Sequence, residues 1–409
     1  MNSERLFELA LGLTPPWCIE RLEFSQNASG QKQLDLYLTF PKGAKFKDEA
    51  GVECAVYDTL ERTWQHLDFF QHPCFLHAHV PRITTSTGQV KQVPVAWARE
   101  GSGFTLLFEA FAMCLIENEM PVNKAAKILD VYPNRLWTIF NYWIEIAVEQ
   151  DDQTQVTNIG IDETASKKGH DYVTLAADLD KRRVLFATPG KDETTIDRLQ
   201  EHLQSKGVPP EQIAHVSIDM SPAFIAGVTH NFVNAKIVFD RFHIVKLLNE
   251  AMDEVRKAER QEHQALKGHK YTFLKNAAKL SAKQQAALTE LITLYPTLGK
   301  AYRFKELFHD FWEFNDKEQG LAFLSCWCAE VEASGIAAFK KFVKTLKSHW
   351  SGIINYIEAK IANGILEGIN SKIQLAKRRA RGYRNQNNFI NMIYFITGKL
   401  KFNYPHYST

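Results

Sequence analysis

Hydrophobic and polar positions alternate in short runs over the first hundred residues. The clearest runs are LDLYLTF from Leu34, TWQHLDFF from Thr63 and CFLHAHVPRI from Cys74, and Pro or Gly residues separate them. A period of two residues is typical of strands with one buried face. The pattern predicts a small β-rich module at residues 1–100.

At Phe104 the apolar residues change to the spacing of a helix, beginning with FTLLFEAFAMCLIENEM. Two further helical patterns follow, and the second opens at Pro133, a favoured first position of a helix. Three short helices with a tight turn before the last predict a helix-turn-helix DNA-binding domain at 101–152. Asn134 and Arg135 then lie on the reading helix, where they would contact DNA. An ordinary three-helix packing unit is the alternative.

Strand and helix patterns alternate between residues 153 and 245. The runs VTNIGIDE, DYVTLAADLD and RRVLFATPG are joined by short loops, and the order continues helix, strand, helix, strand, helix. This order predicts a mixed sheet, antiparallel at one side and parallel at the other, covered by helices. Residues 246–348 are almost wholly helical and are interpreted as an inserted domain. Residues 349–409 then complete the catalytic α/β core.

Composition narrows the class of protein. The 409 residues are 45% hydrophobic and 23% charged, which indicates a globular chain of several domains. The 49 basic and 47 acidic residues give a net charge of +2, which favours no class of partner. The six cysteines form no CxxC pair, and no run of 18 apolar residues occurs. We therefore expect reduced thiols, a cytoplasmic location and no membrane span.

Three acidic residues are candidates for catalysis. Asp162 follows the strand pattern NIGI, Asp219 follows HVSI, and Glu367 lies in NGILEGIN just before a basic run. Strand ends in α/β proteins meet at one edge of the sheet, and clustered carboxylates bind the Mg²⁺ ions used in phosphoryl transfer. Each acid alone is weak support, because an Asp after a strand often caps a helix.

The first position of this site has rivals. Glu163 directly follows Asp162, and Asp178 and Asp180 also close a strand pattern. Alternation along Ile159–Asp162 favours Asp162 as the residue at the sheet edge.

A cationic run without any acid extends from Ser371 to Arg384. Such a run next to carboxylates would attract the DNA backbone and release its counterions, although its cations could instead pair with acids elsewhere in the fold. The predicted DNA-binding cations are Lys372, Lys377, Arg378, Arg379, Arg381 and Arg384. Neutral donors and a stacking ring that suit phosphates and bases are Asn363, Asn370, Tyr383, Asn385 and Asn388.

The sequence Asp240-Arg241-Phe242-His243 closes the last strand pattern. Arg241 could hold a phosphate, and His243 could orient a nucleophile or a substrate oxygen. A polar cap between strand and helix explains the same residues equally well.

Several stretches in fixed order resemble the DDE transposases of the ISL-three type of bacterial insertion sequences. They are YDTLERTWQHLDFF, HVPRI, VPVAWAREGSGFTLLFEA, NIGIDETASKKGHDYVTLAADLD, HVSIDMSPAF, FDRFHIVKLLNEAMDEVR and NGILEGINSKIQLAKRRARGYRN. The resemblance covers nearly the whole chain. It implies a ribonuclease-H-like core with a helical insertion before the last catalytic acid, and it puts the catalytic triad on Asp162, Asp219 and Glu367.

The same resemblance implies Mg²⁺ or Mn²⁺ as cofactor, terminal inverted repeats and target DNA as partners, and a homodimer or larger homo-oligomer in the active complex. One departure concerns zinc. Family members usually carry Cys pairs near the positions of FKDEAG and TTSTG, and this chain has no cysteine at either place. Tetrahedral zinc needs four Cys or His ligands, so we predict a zinc-free module packed around Trp64, Leu67, Phe69, Phe70 and Phe75.

The sequence is thus interpreted as a transposase that cuts and joins DNA at the ends of an insertion sequence. One alternative is a ribonuclease-H-like nuclease or resolvase without strand transfer. Another is a domesticated DNA-binding regulator, against which the presence of all three acids argues.

Overall fold

The computed structural model describes residues 3–27, 30–167, 171–361 and 364–404. Within these ranges the chain forms two compact units. The first contains the residues up to Trp143 together with those from Lys401 onward, and the second extends from Ile144 to Leu400. Sequence analysis predicted four units, so each of these two contains more than one predicted segment.

A single mixed sheet dominates the first unit. Its elements are α1 Ser3–Ala10, β1 Cys18–Gln26, β2 Lys32–Thr39, β3 Lys45–Lys47, β4 Glu53–Phe69, β5 His72–Thr84 and β6 Val90–Gln92. The strand order is β1-β2-β5-β4-β3, with β6 on β5; β2 and β5 are parallel and the other pairs antiparallel. The β-rich prediction is confirmed for this part of the chain.

Apolar side chains from β2, β4 and β5 form the core of this sheet, with Trp64 and Leu76 almost fully buried. Phe69 packs against that core as predicted. The prediction for Phe70 was wrong, since its side chain is 82% exposed. Phe70 has a φ of +46° in the tight turn between β4 and β5, which directs the chain away from the core.

Three helices follow along the chain, α2 Leu106–Glu117, α3 Val122–Ile128 and α4 Pro133–Glu149, and the first unit contains α4 as far as Trp143. The Thr105 hydroxyl caps α2 by accepting a hydrogen bond from the Phe108 amide. Glu109 of α2 is fully buried, and its carboxylate accepts hydrogen bonds from Arg99, Ser102 and the indole of Trp143. This buried carboxylate therefore ties α2 both to the preceding loop and to α4.

The second unit is built on a five-stranded sheet. Its first elements are β7 Asn158–Ala165, β8 Tyr172–Asp178, β9 Arg183–Pro189, α5 Thr194–Ser205, β10 His215–Ile218, α6 Pro222–Asn231 and β11 Lys236–Phe239. The strand order is β11-β10-β7-β8-β9. Strands β7, β8 and β9 are antiparallel, whereas β10 runs parallel to both β7 and β11. The predicted mixed sheet is confirmed.

Helices make up the rest of the second unit. They are α7 Arg241–Glu262, α8 Lys270–Leu274, α9 Ala282–Leu294, α10 Pro296–Phe308, α11 Lys317–Ala333, α12 Ala337–Ser348, α13 Trp350–Ala359, α14 Gly364–Arg379 and α15 Gln386–Thr397. The inserted helices share one apolar core with the sheet, and Trp312 and Trp327 are buried in it. Helices α13, α14 and α15 pack on β11, β7 and β9. None of the helices in the described ranges is long and apolar enough to span a membrane.

Candidate active site

Three aspartates lie side by side where the parallel strands of the second sheet end. Asp219 directly follows β10, and Asp240 directly follows β11. Ser217 of β10 pairs with Gly160 of β7, so Asp162, two residues further along β7, is level with Asp219. The register of three neighbouring strands thus places three carboxylates in one row.

The prediction that Asp162 ends its strand was wrong. β7 continues to Ala165, and beyond Gly160 it is paired with β8 alone. The antiparallel hairpin is longer than the parallel strand β10, which ends at Ile218. Asp162 therefore lies at the edge of the parallel part of the sheet while remaining inside a regular strand.

Helix α14 is fastened along β7 by contacts at successive turns. At Gly160, an added Cβ would lie only 3.0 Å from a methyl carbon of Leu366, so glycine allows the close approach. The Asn370 amide nitrogen donates to Asp162 Oδ2 at 2.6 Å, and the Gln374 amide nitrogen donates to the Thr164 hydroxyl at 2.8 Å.

The contacts between α14 and β7 repeat at nearly the same distance along the helix and along the strand. Residues 160, 162 and 164 are on one face of the strand, and residues 366, 370 and 374 follow each other up one side of the helix. Two residues of strand rise about 6.6 Å and four residues of helix about 6 Å. The helix and strand consequently stay in step, and Glu367, one turn before Asn370, lines the same cavity as Asp162.

Asp162 and Glu367 line one cavity of about 710 Å³. The other residues that line it are Asp240, Arg241, Phe242, His243, Val245, His309, Tyr356, Gly364 and Asn370. The structure therefore brings the predicted first and third acids together with the predicted accessory residues. Asp219 does not line this cavity; its carboxylate accepts a hydrogen bond from the Ser221 amide at 2.9 Å.

The carboxyl group of Asp162 is held in a poor environment for negative charge. Burial is the main cause that raises its pKa to about 6, and the nearby carboxylates of Asp240 and Asp219 add to the rise. Two groups oppose this rise and lower the pKa of Asp162. They are the Glu163 amide, which donates to Asp162 Oδ1 at 2.8 Å, and the charge of His243. Burial and the two neighbouring carboxylates destabilise the anionic form of Asp162, and a bound cation would stabilise it.

The rival acids lie elsewhere. Glu163 is on the opposite face of β7 from Asp162 and does not line the cavity. Asp178 pairs with Ile159 at the other end of β7, where it accepts hydrogen bonds from the Asp180 and Lys181 amides. The geometry favours Asp162.

The cap interpretation of residues 240–243 is confirmed, whereas the roles of Arg241 and His243 towards a substrate stay a prediction. Asp240 caps α7 by accepting a hydrogen bond from the Phe242 amide at 2.6 Å. Arg241 and His243 also line the cavity, and the Arg241 guanidinium lies 5.3 Å from the centre of the Trp312 ring. The cap thus brings Arg241 and His243 to the cavity that Asp162 and Glu367 line.

Within the described ranges, no three His, Cys, Asp or Glu side chains are gathered closely enough to form a ready metal site. The chemistry of the donors nevertheless suits a hard cation, because carboxylate and amide oxygens are the ligands that Mg²⁺ prefers. The Asn370 side-chain oxygen is buried and accepts no hydrogen bond from any described group. Asp162 and Glu367 therefore fit a magnesium ion by ligand type, with Asp219 in electrostatic range of Asp162.

The cationic run is divided by the end of α14 at Arg379. Arg381 has a φ of +57° and lies with Arg384 in the connection to α15. Lys372, Arg378, Arg379, Arg381 and Arg384 are exposed, whereas the Lys377 ammonium donates to the Ala165 carbonyl at 2.7 Å. Lys377 thus extends the contact between α14 and β7.

Two of the predicted neutral contacts have roles inside the protein. Asn385 caps α15 by accepting hydrogen bonds from the Asn387 and Asn388 amides. The Tyr383 ring packs 5.2 Å from the Phe389 ring, and burial raises the pKa of its hydroxyl to about 12. Asn363 lies outside the described residues.

On the reading helix α4, Asn134 and Arg135 are exposed as expected. The Arg135 guanidinium lies 4.2 Å from the centre of the Phe104 ring, which orients it. In the sheet of the same unit, Cys54 and Cys74 are buried, and His77 bonds Asp35 at 2.8 Å.

Asp48 links the turn FKDEAG to the turn TTSTG. Its carboxylate accepts hydrogen bonds from the Ala50 and Val52 amides and from the amide and hydroxyl of Ser86. These bonds, with the Ser86 amide first, lower the pKa of Asp48 to about 2.

Sequence reasoning missed three residues of the site. Asp240 was treated as a cap, although its position after the β11 strand pattern is the same signal that selected Asp219. Gly160 was visible in NIGI, but its contact with Leu366 depends on the tertiary packing. His309 comes from the inserted helices, and no local pattern marks it.

Comparison with known proteins identifies relatives of both the second unit and the helix-turn-helix segment. Residues 159–393, more than half of the chain, match the ISL3 family model described as a transposase. Residues 93–144 match the helix-turn-helix domain of transposase family ISL3. The transposase for insertion sequence element IS1001 of Bordetella parapertussis is 27% identical over 95% of this chain and 97% of its own. The transposase for insertion sequence element IS1557 of Mycobacterium tuberculosis is 26% identical over 94% of this chain and 93% of its own length.

Proposed function

The chain belongs to the ISL3 family of transposases, and from that premise we propose that it cuts and joins the terminal inverted repeats of its element at the cavity between β7 and α14. As a transposase it acts on DNA and binds DNA through its helix-turn-helix domain. The proposal adds the residues, the metal and the course of the reaction. The observation that carries it is the meeting of Asp162 and Glu367 in one cavity beside Asp219.

The proposed catalytic residues are Asp162, Asp219 and Glu367. The strand order, with three antiparallel strands followed by two parallel ones and acids at the parallel edge, supports a ribonuclease-H-like core. Asp162, Asp219 and Glu367 would hold Mg²⁺ or Mn²⁺. When bound, these ions would neutralise charge on the attacking and leaving oxygens of a phosphodiester.

The remaining residues prepare the substrate. Arg241 and His243 would bind the phosphate that enters the cavity, since both line it and carry or accept positive charge. The exposed cations of α14 would track the DNA backbone from Lys372 to Arg379. Water first attacks the phosphodiester at the element end and releases a 3′-hydroxyl. That hydroxyl then attacks a phosphodiester of the target DNA, so each step breaks one P–O bond and forms another.

The test is an in vitro reaction with purified protein, Mg²⁺ or Mn²⁺, and labelled DNA carrying the flanking inverted repeat. We expect cleaved and joined products from the wild type, and at least a roughly 100-fold loss from Asp162→Asn and from Glu367→Gln. Glu163→Gln is the matched control, because it neutralises the adjacent acid on the other face of β7. Equal products from wild type and Glu367→Gln would refute the assignment of the site.

The oligomeric state is part of the proposal, and we expect at least a homodimer on DNA. Light scattering of the complex with one and with two inverted repeats would measure it, and a monomer that joins two ends would contradict it.

A further inference from the structure

Asn370 is in an unusual situation beside the proposed catalytic acids. Its amide nitrogen donates to Asp162 Oδ2 at 2.6 Å, a short hydrogen bond to a carboxylate. Its amide oxygen is buried and has no hydrogen-bond donor among the described residues. One end of the side chain is therefore strongly bound, while the other is left unsatisfied.

The orientation of this amide is decided by Asp162. An ionised carboxylate only accepts hydrogen bonds, so the NH₂ end of the amide must face it. The opposite rotamer would bring two acceptor oxygens together at the same short distance. The unsatisfied oxygen is thus a direct consequence of holding Asp162, and it lowers stability because a buried carbonyl without a donor loses its bond to water.

Asn370 is also placed to act together with Glu367. The two residues are three apart on α14 and so lie on one side of the helix, and both line the cavity. The side chain that fixes Asp162 on β7 therefore belongs to the helix that carries Glu367. Any movement of α14 would change the position of both acids at once.

We propose that Asn370 is a positioning residue for the transposition reaction: its NH₂ group holds the Asp162 carboxylate in place, and its oxygen accepts a hydrogen bond from water carried into the cavity by the divalent cation. The inference rests on the proposed function, which assigns Asp162 and Glu367 as ligands of that cation. Mg²⁺ keeps several of its waters when bound to proteins, which supplies the missing donor. Groups that orient a metal ligand in this way typically change metal affinity by 10–100-fold when removed.

The chain offers a matched control on the same helix. Gln374, one turn further along α14, also carries a side-chain amide that donates to β7, at 2.8 Å to the Thr164 hydroxyl. Its removal breaks a similar contact between helix and strand without touching Asp162. A purely structural role of Asn370 predicts the same behaviour for Asn370→Ala and Gln374→Ala.

The experiment measures Mn²⁺ binding to the full chain by the electron paramagnetic resonance signal of free Mn²⁺. We expect binding by Asn370→Ala to be at least about 10-fold weaker than wild type, and binding by Gln374→Ala to stay within about threefold. In the cleavage assay, Asn370→Ala should need a similarly higher Mn²⁺ concentration for half-maximal rate. Asn370→Ser keeps a short donor and should recover part of the affinity, which provides a second variant if the alanine protein does not fold.

Two results would overturn the inference: Mn²⁺ binding by Asn370→Ala within threefold of wild type, or an equal loss in Gln374→Ala. If the wild type cuts DNA and Asn370→Ala binds Mn²⁺ normally, the role of Asn370 is refuted and the proposed function is not. A wild type that binds Mn²⁺ but cuts no inverted-repeat DNA would refute the proposed function, and the binding comparison would still decide the role of Asn370.

Discussion

Two sets of carboxylates, one in each unit of this protein, have opposite surroundings. In the first unit, Asp48 accepts four hydrogen bonds, and Glu109 accepts bonds from an arginine, a serine and a tryptophan. In the second unit, Asp162 accepts hydrogen bonds from the Glu163 amide and the Asn370 side chain, and it lies near two further carboxylates, Asp219 and Asp240. Hydrogen bonding lowers the pKa of Asp48 to about 2, while burial raises that of Asp162 to about 6.

This contrast separates carboxylates that hold the fold together from those held ready for chemistry. A carboxylate with enough donors stabilises the native state as an anion. A buried carboxylate beside other carboxylates costs stability until a cation arrives, and such groups concentrate at functional sites. The two kinds of carboxylate differ in how many hydrogen-bond donors the fold places around them. Nothing in the sequence marks this difference, because each residue is an Asp or a Glu.

The largest expected effect comes from separating α14 from β7 at Gly160. The branched side chain in Gly160→Val would meet Leu366 and Leu179, which already approach an added Cβ within 3.0 Å and 2.8 Å. The helix should move away from Asp162, and we expect roughly a 100-fold loss of DNA cleavage, as for other small displacements of catalytic groups. Gly368→Ala on the same helix, where an added Cβ meets open space, should cut like wild type. Normal cleavage by Gly160→Val would show that the close approach is not needed.

A smaller effect is expected on the stability of the metal-free protein with Asp162→Asn. Most substitutions lower the free energy of unfolding, whereas this one should raise it. Because the pKa of Asp162 is raised in the folded state to about 6, folding favours its protonated form. Its ionisation therefore removes stability as pH rises from about 4 to about 6, and the loss persists above that. Asp162→Asn should be more stable than wild type by about 3 kcal/mol at pH 7.5 and close to it near pH 4.

Denaturant unfolding of both proteins with a chelator present, at the two pH values, measures this difference. A variant that is less stable than wild type at pH 7.5 would mean that Asp162 is satisfied as an anion, and the contrast between the units would fail.

The smallest effect is expected at Asp48, with the reverse dependence on pH. Its pKa is lowered in the folded state, so its contribution is complete above the unfolded value near 3.8 and disappears as pH falls towards about 2. Asp48→Ala should lower the melting temperature at pH 7 and lose this difference near pH 2. Circular dichroism across that range would follow it.

Glu49→Gln is the control for Asp48, because Glu49 makes an exposed pair with Lys91 that contributes little. Equal melting temperatures for Asp48→Ala and wild type at pH 7 would show that the hydrogen bonds between the two turns are not stabilising.

Much of the second unit could be predicted from local patterns. Alternation along NIGI and HVSI identified strands β7 and β10, and the acids that follow them were selected for this reason. Glu367 was chosen for its place before a basic run, and the structure puts it with Asp162 in one cavity. The contact of Lys377 could not be predicted in this way, because its position in the basic run does not reveal that its ammonium donates to the Ala165 carbonyl.

The sequence by itself determined the order of strands and helices, the acids available for chemistry and the concentration of cations on α14, since periodicity and charge are properties of neighbouring residues. The tertiary structure alone decided that Asp240 joins the row of acids, that Gly160 admits Leu366, and that Asn370 rather than Gln374 reaches Asp162. These outcomes depend on the register between segments far apart in the chain. That register follows from packing over the whole core, which no local pattern contains.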